Sequence, residues 1–478
     1  HVLVRHEQGA GFMADGYARA TGKPGVCFTI TGPGVLNILT PIGQAWSDSS
    51  NVLVIATALD IRDSAQGRGR LHEMLDQRGA AATVTQHHFR AYTPQDVRDA
   101  IARAFSIFAS QRPRPVYIEI PIDTLKEPAG GGWTARALPR RPLADPAQLA
   151  EAAARLNAAK SPIIILGGGA LEAGKAALAI AEQLKAPIIT TTAGKGAVPA
   201  GHPLCFGYCL GREETWKLFK SSDAILCVGS ELSETDFWDT SVLIGMNLIR
   251  IDIDPASLAR PHTADLAILG DARPALEAIA SRIEAKDRKA PVRPDFGQPD
   301  EVRVMLSKVL KVIRDSLPED TVIASDMTQI AYAGNEEFPA LQPRTWIHPV
   351  GFGTLGFGLP AGIGAKFGGG RPVAILHGDY GIQYTINELG TAVEHKLPVI
   401  VFLWNNELLG AIHDSMARAG IQPNNVKLRN PDFQALAKAY GCNAEKPNSL
   451  KALAAAIAAA LNAEGPTLIE MTPRMVNG

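Results

Sequence analysis

The chain has almost no net charge. Its 47 Lys and Arg stand against 48 Asp and Glu, a formal balance of −1. No global field draws it to nucleic acid or to an anionic membrane surface. It has no run of about 18 apolar residues free of charges and turn signals, so no membrane span is read, and no secretory leader is expected. Cysteine is scarce. Cys27, Cys205, Cys209, Cys227 and Cys442 form no CxxC pair and no disulfide framework, which suits a reducing compartment such as the cytoplasm. Cys205 and Cys209 follow His202 closely, yet no fourth ligand stands nearby, so they read as buried small hydrophobes rather than as a metal site. An initiating Met is also lacking. The chain opens on the strand-like run His1-Val2-Leu3-Val4, and we expect a first strand and helix to precede it.

What is present is a long, ordinary globular composition. With 478 residues, 46% of them hydrophobic, the length alone suggests roughly three domains. Short apolar runs alternate with helical patterns along the whole chain, the pattern of βαβ units and parallel sheets. Strands are expected at 2–6, 25–30, 51–57 and 116–120, with helices at 9–21 and near 37–46. Gly130-Gly131-Gly132 and residues 139–146 read as a linker. A second region starts with a helix near 147–158 and carries strands at 162–166, 188–192, 224–228 and 248–253. Residues 286–299, rich in Pro, Lys and Asp, read as a second linker. A third region begins with a helix at 301–316, has strands at 321–325, 373–377, 399–404 and 467–470, and ends in an Ala-rich helix at 451–462. The expected architecture is three doubly wound, mainly parallel α/β domains, at 1–130, 145–285 and 300–478.

The most specific motif is long. Gly378-Asp379-Tyr380-Gly381 is followed by Asn387-Glu388-Leu389-Gly390-Thr391-Ala392, Leu397-Pro398 and Asn405-Asn406-Glu407. Asp379 follows one expected strand and Asn406 the next, at the carboxyl edge where open α/β sheets bind ligands. A carboxylate and an amide oxygen are hard ligands suited to Mg²⁺ holding a diphosphate. Glycines at 378 and 381 let the backbone approach phosphate oxygens. A lone Gly-Asp or Asn-Asn would be an ordinary βα turn; the complete set is not. A second motif is Arg5-His6-Glu7-Gln8-Gly9-Ala10 with Ala14-Asp15-Gly16-Tyr17-Ala18. Alone, a Glu at a helix start is a favourable partner for the helix dipole. A third is the glycine-rich Gly351-Phe352-Gly353-Thr354-Leu355-Gly356-Phe357-Gly358-Leu359-Pro360, which on its own is a packing loop with Leu355 in the core.

Together these segments resemble the thiamine diphosphate (ThDP) dependent family that includes acetolactate synthases, benzoylformate decarboxylase and pyruvate oxidase, over essentially the whole chain. The resemblance implies a ThDP-binding fold with a pyrimidine-binding, a central and a diphosphate-binding domain. It makes Asp379, Asn406 and the Leu408 carbonyl the Mg²⁺ ligands, and places Gly378, Tyr380, Gly381, Gly410 and Ile412 beside the cofactor. Tyr380 stands where the family usually has glycine, so local phosphate contacts there are in question. Glu7 becomes the carboxyl that hydrogen-bonds the aminopyrimidine ring. Gly353 and Leu355 correspond to the segment whose large apolar side chain holds the cofactor bent. Thr31-Gly32-Pro33-Gly34 with Asn37 partly matches a further family turn. In this family Glu7 and the metal site belong to different subunits, so a homodimer is required and a homotetramer is expected. When bound, ThDP supplies a carbon nucleophile for a 2-oxo acid and a sink for the electrons left as CO₂ departs.

Gly167-Gly168-Gly169 followed by Ala170-Leu171-Glu172 looks like a dinucleotide turn, but Glu172 stands where a glycine is needed. Some relatives hold FAD or ADP in this region; a tight strand–helix turn is the plainer reading. Leu71-His72-Glu73, Asp76-Gln77 and Arg429-Asn430-Pro431-Asp432-Phe433 look more like 5-guanidino-2-oxopentanoate decarboxylases than like acetolactate synthases, which carry a Trp where Ser415 stands. Glu407, Asp414 or Glu73 could pair with such a cationic substrate. His72 and His413 are candidate proton donors because histidine titrates near neutral pH, although a lone His is more often a structural one. His87 and His88 read as surface or packing residues. The expected reaction is non-oxidative decarboxylation of a 2-oxo acid, with acetolactate-synthase-like carboligation as the alternative.

Overall fold

The computed structural model describes residues 1–239, 241, 242, 244 and 247–477. Three sheets, all parallel in the pairings described, follow one another along the chain. In the first, β1 (Gly25–Thr29), β2 (Val52–Ala58), β3 (His87–Arg90) and β4 (Val116–Pro121) lie in the order β1-β2-β4-β3. The second contains β5 (Pro162–Leu166), β6 (Ile188–Thr190), β7 (Cys205–Gly207), β8 (Ala224–Val228), β9 (Leu248–Asp252) and β10 (Leu266–Leu269), ordered β10-β9-β8-β5-β6-β7. The third contains β11 (Val322–Ser325), β12 (Trp346–Ile347), β13 (Val373–Gly378), β14 (Val399–Trp404), β15 (Asn443–Glu445) and β16 (Thr467–Met471), ordered β12-β11-β13-β14-β16-β15.

The central strands explain themselves. Pro162–Leu166, Ala224–Val228, Val373–Gly378 and Val399–Trp404 are buried at every position, so they read as unbroken apolar runs instead of alternating ones, as strands covered on both faces must. Each fully buried Val, Leu, Ile or Phe contributes roughly 1.5–3 kcal/mol. The chain divides into two compact units, one of His1–Pro139, Lys308–Tyr332 and Ile347–Gly478, the other of Arg140–Ser307 and Ala333–Trp346. Within the first unit the helix Glu7–Thr21 packs on the helix Gly358–Phe367. Phe12 and Met13 enter the apolar core on one face of the third sheet, with Phe12 edge-on to Phe357 at 5.4 Å. Glycines on both sides allow this approach. A Cβ on Gly16 would lie 2.0 Å from the Ala361 carbonyl oxygen, and one on Gly364 would lie 1.9 Å from that of Met13.

One expectation needs correction. Residues 2–6 form no strand but an extended approach to the helix that starts at Glu7, with Leu3 73% exposed; the amides of Arg5 and His6 go to the Glu388 carboxylate instead of to a strand. His87, half-buried, and His88, exposed, are the surface or packing residues expected, and they lie in β3 opposite Val116 and Tyr117. All five cysteines are free thiols. No helix among the described residues is long and apolar enough to cross a membrane.

Candidate active site

The carboxyl edge of the third sheet gathers the first cluster. Strands β13 and β14 are paired in register, with His377 opposite Leu403 and Gly378 opposite Trp404. The turns that follow them must therefore meet. The Asp379 amide donates to the Trp404 carbonyl at 3.0 Å. Asp379 Oδ2 accepts the Glu407 amide and Asn430 Nδ2, each at 2.8 Å, and Oδ1 accepts the Tyr380 amide at 3.0 Å. The side chain is 3% exposed. Burial pushes its pKa up, opposed by the hydrogen bonds from Asn430 and the Glu407 amide. Among the described residues no Lys or Arg pairs with it. A buried carboxylate held by neutral donors alone has room in its electrostatics for a cation.

Asn406 Nδ2 donates to Gln329 Oε1 at 3.0 Å, which fixes the amide so that Oδ1 remains as the acceptor; it takes the Leu408 amide at 3.3 Å. An Asp carboxylate, an Asn amide oxygen and a main-chain carbonyl are the hard oxygen donors that Mg²⁺ prefers. Such a set contains one acidic side chain, in keeping with the absence among the described residues of any group of three or more His, Cys, Asp or Glu able to hold a metal. The residues present thus fit a cation-held diphosphate.

Gln329 reaches further. Its Nε2 donates to Asp414 Oδ2 at 3.3 Å, and Asp414 Oδ1 lies 3.0 Å from His413 Nδ1. The amide of Asn406 is thereby linked through one glutamine to the helix Gly410–Arg418. Gly410 must be small, since a Cβ there would lie 2.3 Å from Gln329 Oε1. Ile412, on the same helix, is 51% exposed. Tyr380 meets Tyr384 edge-on at 5.6 Å.

The second cluster surrounds Glu7. His6 caps the helix Glu7–Thr21, its Nδ1 accepting the Gln8 amide at 3.1 Å, so Glu7 is the first helical residue. Glu7 Oε2 accepts Asn37 Nδ2 at 3.1 Å. Gly32, at φ +70°, precedes the helix Pro33–Ser47 that carries Asn37, and its amide donates to Gln77 Oε1 at 2.9 Å. His72 lies against Gly32 through its backbone: a Cβ on the glycine would stand 2.6 Å from the His72 carbonyl oxygen. Glu73 is committed elsewhere. Its carboxylate accepts the amides of Arg70, Arg68 and Gly67, which hold its pKa below the usual range.

The segment 350–356 is pinned from both sides. Asp48 accepts the amides of Val350 and Gly351 at 3.1 and 2.8 Å, and Gln44 Oε1 accepts the amide and hydroxyl of Thr354 at 3.1 and 2.7 Å. Asp326 Oδ2 accepts the Gly356 amide at 3.0 Å, and Thr385 Oγ1 donates to the Gly356 carbonyl at 2.8 Å. Gly353 takes φ +65° and Leu355 is half-buried. Asp326 also sits 2.9 Å from His377 Nδ1, both side chains fully buried.

Asn430, Gln329, Asp326 and His377 join the site without a role in any of the linear motifs. Asp326 carried a usable signal, since it follows β11 just as Asp379 follows β13. The contacts of Asn430 and Gln329 span 51 and 77 residues, and no linear motif encodes them.

This arrangement is that of a ThDP-dependent enzyme, and comparison with known proteins agrees. Residues 1–80 match the family "Thiamine pyrophosphate enzyme, N-terminal TPP binding domain", 149–279 the central domain, and 326–471 the "C-terminal TPP binding domain". The chain is 46% identical to "Probable 2-ketoarginine decarboxylase AruI" of Pseudomonas aeruginosa, across 98% of this chain and 87% of that protein. It is 32% identical to acetolactate synthase isozyme 3 large subunit of Escherichia coli, across 92% of this chain and 82% of the relative. A solved structure from Mycobacterium smegmatis, described as a thiamin diphosphate-dependent enzyme, superposes with a TM-score of 0.85 at 25% identity, covering 98% of this chain and 92% of the other. The chain belongs to the thiamine pyrophosphate enzyme family.

Proposed function

We propose that the chain catalyses the ThDP- and Mg²⁺-dependent, non-oxidative decarboxylation of 5-guanidino-2-oxopentanoate, which is 2-ketoarginine. The observation that carries the substrate is the 46% likeness to the Pseudomonas protein, well above the 32% to the E. coli acetolactate synthase. Asp379, Asn406 and the Leu408 carbonyl hold Mg²⁺ and through it the diphosphate. Glu7, oriented by the His6 cap and by Asn37, hydrogen-bonds the pyrimidine ring. Leu355, on its doubly pinned segment, supports the ring junction. The cofactor supplies the carbon nucleophile and the electron sink.

Of the acids considered for the cationic tail, Glu73 is already taken up by loop amides. Asp414 is 45% exposed, with His413 and Gln329 as its neighbours, and is our choice for the guanidinium. His413 is then placed to give up a proton near the reacting carbon, with His72 as the other donor. The family resemblance implies that Glu7 and the Asp379 site come from different chains, so we expect a homodimer in which each site draws on two chains, with a tetramer as the expected assembly.

The test is CO₂ release with ThDP and Mg²⁺ from 5-guanidino-2-oxopentanoate, pyruvate, 2-oxobutyrate and benzoylformate, with aldehyde and acetolactate measured together. Aldehyde from the guanidino acid and little product from pyruvate is expected. Acetolactate from pyruvate would replace this reading with carboligation, the second reading favoured by the acetolactate synthase relatives. Glu7→Gln should retain ThDP binding and lose most turnover; unchanged turnover would remove Glu7 from its role.

A further inference from the structure

Glu388 is fully buried, and its carboxylate points at the backbone that leads into Glu7. Its Oε1 accepts the amides of Arg5 and His6, each at 3.1 Å, and the Asn387 side-chain amide at 3.2 Å. Its Oε2 accepts the Arg5 amide at 3.3 Å and the Thr391 hydroxyl at 2.6 Å. Contact with the first helical turn is tight, for a Cβ on Gly9 would lie 2.4 Å from Oε1. Arg5 closes the contact from the other side: its guanidinium reaches Glu394 at 2.6 Å and the Gly390 carbonyl at 3.4 Å. Burying a carboxylate is costly unless donors surround it. Here two of those donors are main-chain amides just ahead of a helix start, groups that otherwise have no intrahelical partner.

We propose that Glu388 is a positioning residue for Glu7. By clamping the amides of Arg5 and His6 it fixes where the helix begins, and hence where the Glu7 carboxyl stands against the pyrimidine ring. Glu388 touches neither cofactor nor substrate in this scheme; it acts through the Arg5–His6 backbone. The segment that carries it starts at the metal turn, nine residues after Asp379. The inference rests on the assignment of Glu7 given above. A carboxyl misplaced by about 1 Å can cost on the order of 100-fold in rate, so a small displacement of this turn has a large effect on turnover.

Three variants separate positioning from support of the fold. Glu388→Gln keeps an acceptor at Oε1 for the Arg5 and His6 amides and turns its NH₂ towards Thr391, giving up only the 3.3 Å Arg5 contact to Oε2; turnover should stay within about threefold although neutral hydrogen bonds replace charge-assisted ones. Glu388→Met removes both acceptors and should lower kcat by more than about tenfold, with KM for the 2-oxo acid and the ThDP dissociation constant changed far less. Glu388→Asp, which keeps the charge and withdraws it by one methylene, should also lose kcat, and it serves if the Met variant does not fold. An independent readout needs no cofactor: amide hydrogen exchange of Arg5 and His6 should accelerate in the Met and Asp variants and not in Gln. If the Asp or Met variant folds and keeps both kcat and slow exchange, the proposal is overturned. It is overturned equally if kcat falls only in step with ThDP affinity or thermal stability. Glu7→Gln run in parallel distinguishes the two failures. Normal turnover there removes the Glu7 assignment itself, whereas slow Glu7→Gln beside fast Glu388 variants removes only the clamp.

Discussion

Two glycine-rich turns close parallel strands in this molecule, and they do opposite things. After β5, Gly167 and Gly169 lie against another turn. A Cβ on Gly167 would stand 2.2 Å from the Gly229 carbonyl oxygen, and one on Gly169 would stand 2.9 Å from the Gly229 Cα. Their missing side chains are used up by backbone-to-backbone packing. After β13, Gly378 and Gly381 face side chains instead. A Cβ there would meet Thr328 Oγ1 at 2.8 Å and Asp326 Oδ2 at 2.2 Å. Asp379 stands between them with its oxygens held by donors from two other segments. A glycine at a strand end thus marks a lack of space, and only the polar groups beside it say whether the space serves a ligand.

The contrast can be broken most directly at Asp379. Asp379→Ala should abolish Mg²⁺-dependent ThDP binding by calorimetry, a loss of more than about 100-fold since it removes a ligand and not merely its support; normal affinity would strip the β13 turn of its role. Next comes Asn430→Ala, which withdraws a donor from both Asp379 and Asn405. Outer partners of ligands are worth about 10–100-fold in metal affinity, so a Mg²⁺ titration of activity should shift by that factor at unchanged Tm. In the other unit the expected effects are on stability alone. Lys195 is buried and donates to the carbonyls of Gly334, Asn335 and Phe338 at 3.0, 2.7 and 2.9 Å. Lys195→Met withdraws the ammonium donor from all three carbonyls, of which Gly334 keeps the Phe338 amide; at about 1–3 kcal/mol for a buried group left unpaired, it should lower the denaturation midpoint while kcat per folded enzyme stays constant. Smallest is Gly167→Ala. Overpacking there should cost about 1–3 kcal/mol with ThDP affinity unchanged; a fall in cofactor affinity would erase the distinction between the two turns.

Much of this was legible before any coordinates. The helix at 301–316 and the strands at 162–166, 224–228 and 399–404 fall where periodicity puts them, because long apolar runs and amphipathic stripes are set by burial alone. The strands that escaped notice, β3, β7, β10, β12 and β15, are two to four residues long. Asn443–Glu445 is partly exposed throughout, so no apolar signal marks it. Residues 2–6 erred in the other direction, being apolar enough for a strand but with the Arg5 and His6 amides taken by a side chain, Glu388. In the candidate site, Asp379 and Asn406 could be read because each follows a strand in the linear order. Glu388 could be quoted as part of a motif but not understood, since its partners lie 382 and 383 residues away. Gln329, shared by Asn406 and Asp414, is likewise invisible until the chain is folded.

The close crossing of helix Glu7–Thr21 on helix Gly358–Phe367 also bears on how the chain is made. The apolar face that carries Phe12 and Met13 leaves the ribosome early, but the surface it needs is synthesised some 350 residues later. At roughly 5–20 residues per second that interval is on the order of half a minute. During it the helix that carries Glu7 can pack only on its early neighbours, β1 and the helix Pro33–Ser47, while the face with Phe12 and Met13 stays uncovered and open to aggregation or to a holding chaperone. The second sheet draws its strands from 162–269 and can close in the meantime. Ribosome-bound chains should therefore show a protected second sheet while the Phe12–Met13 face of the Glu7 helix still binds an apolar dye or a chaperone.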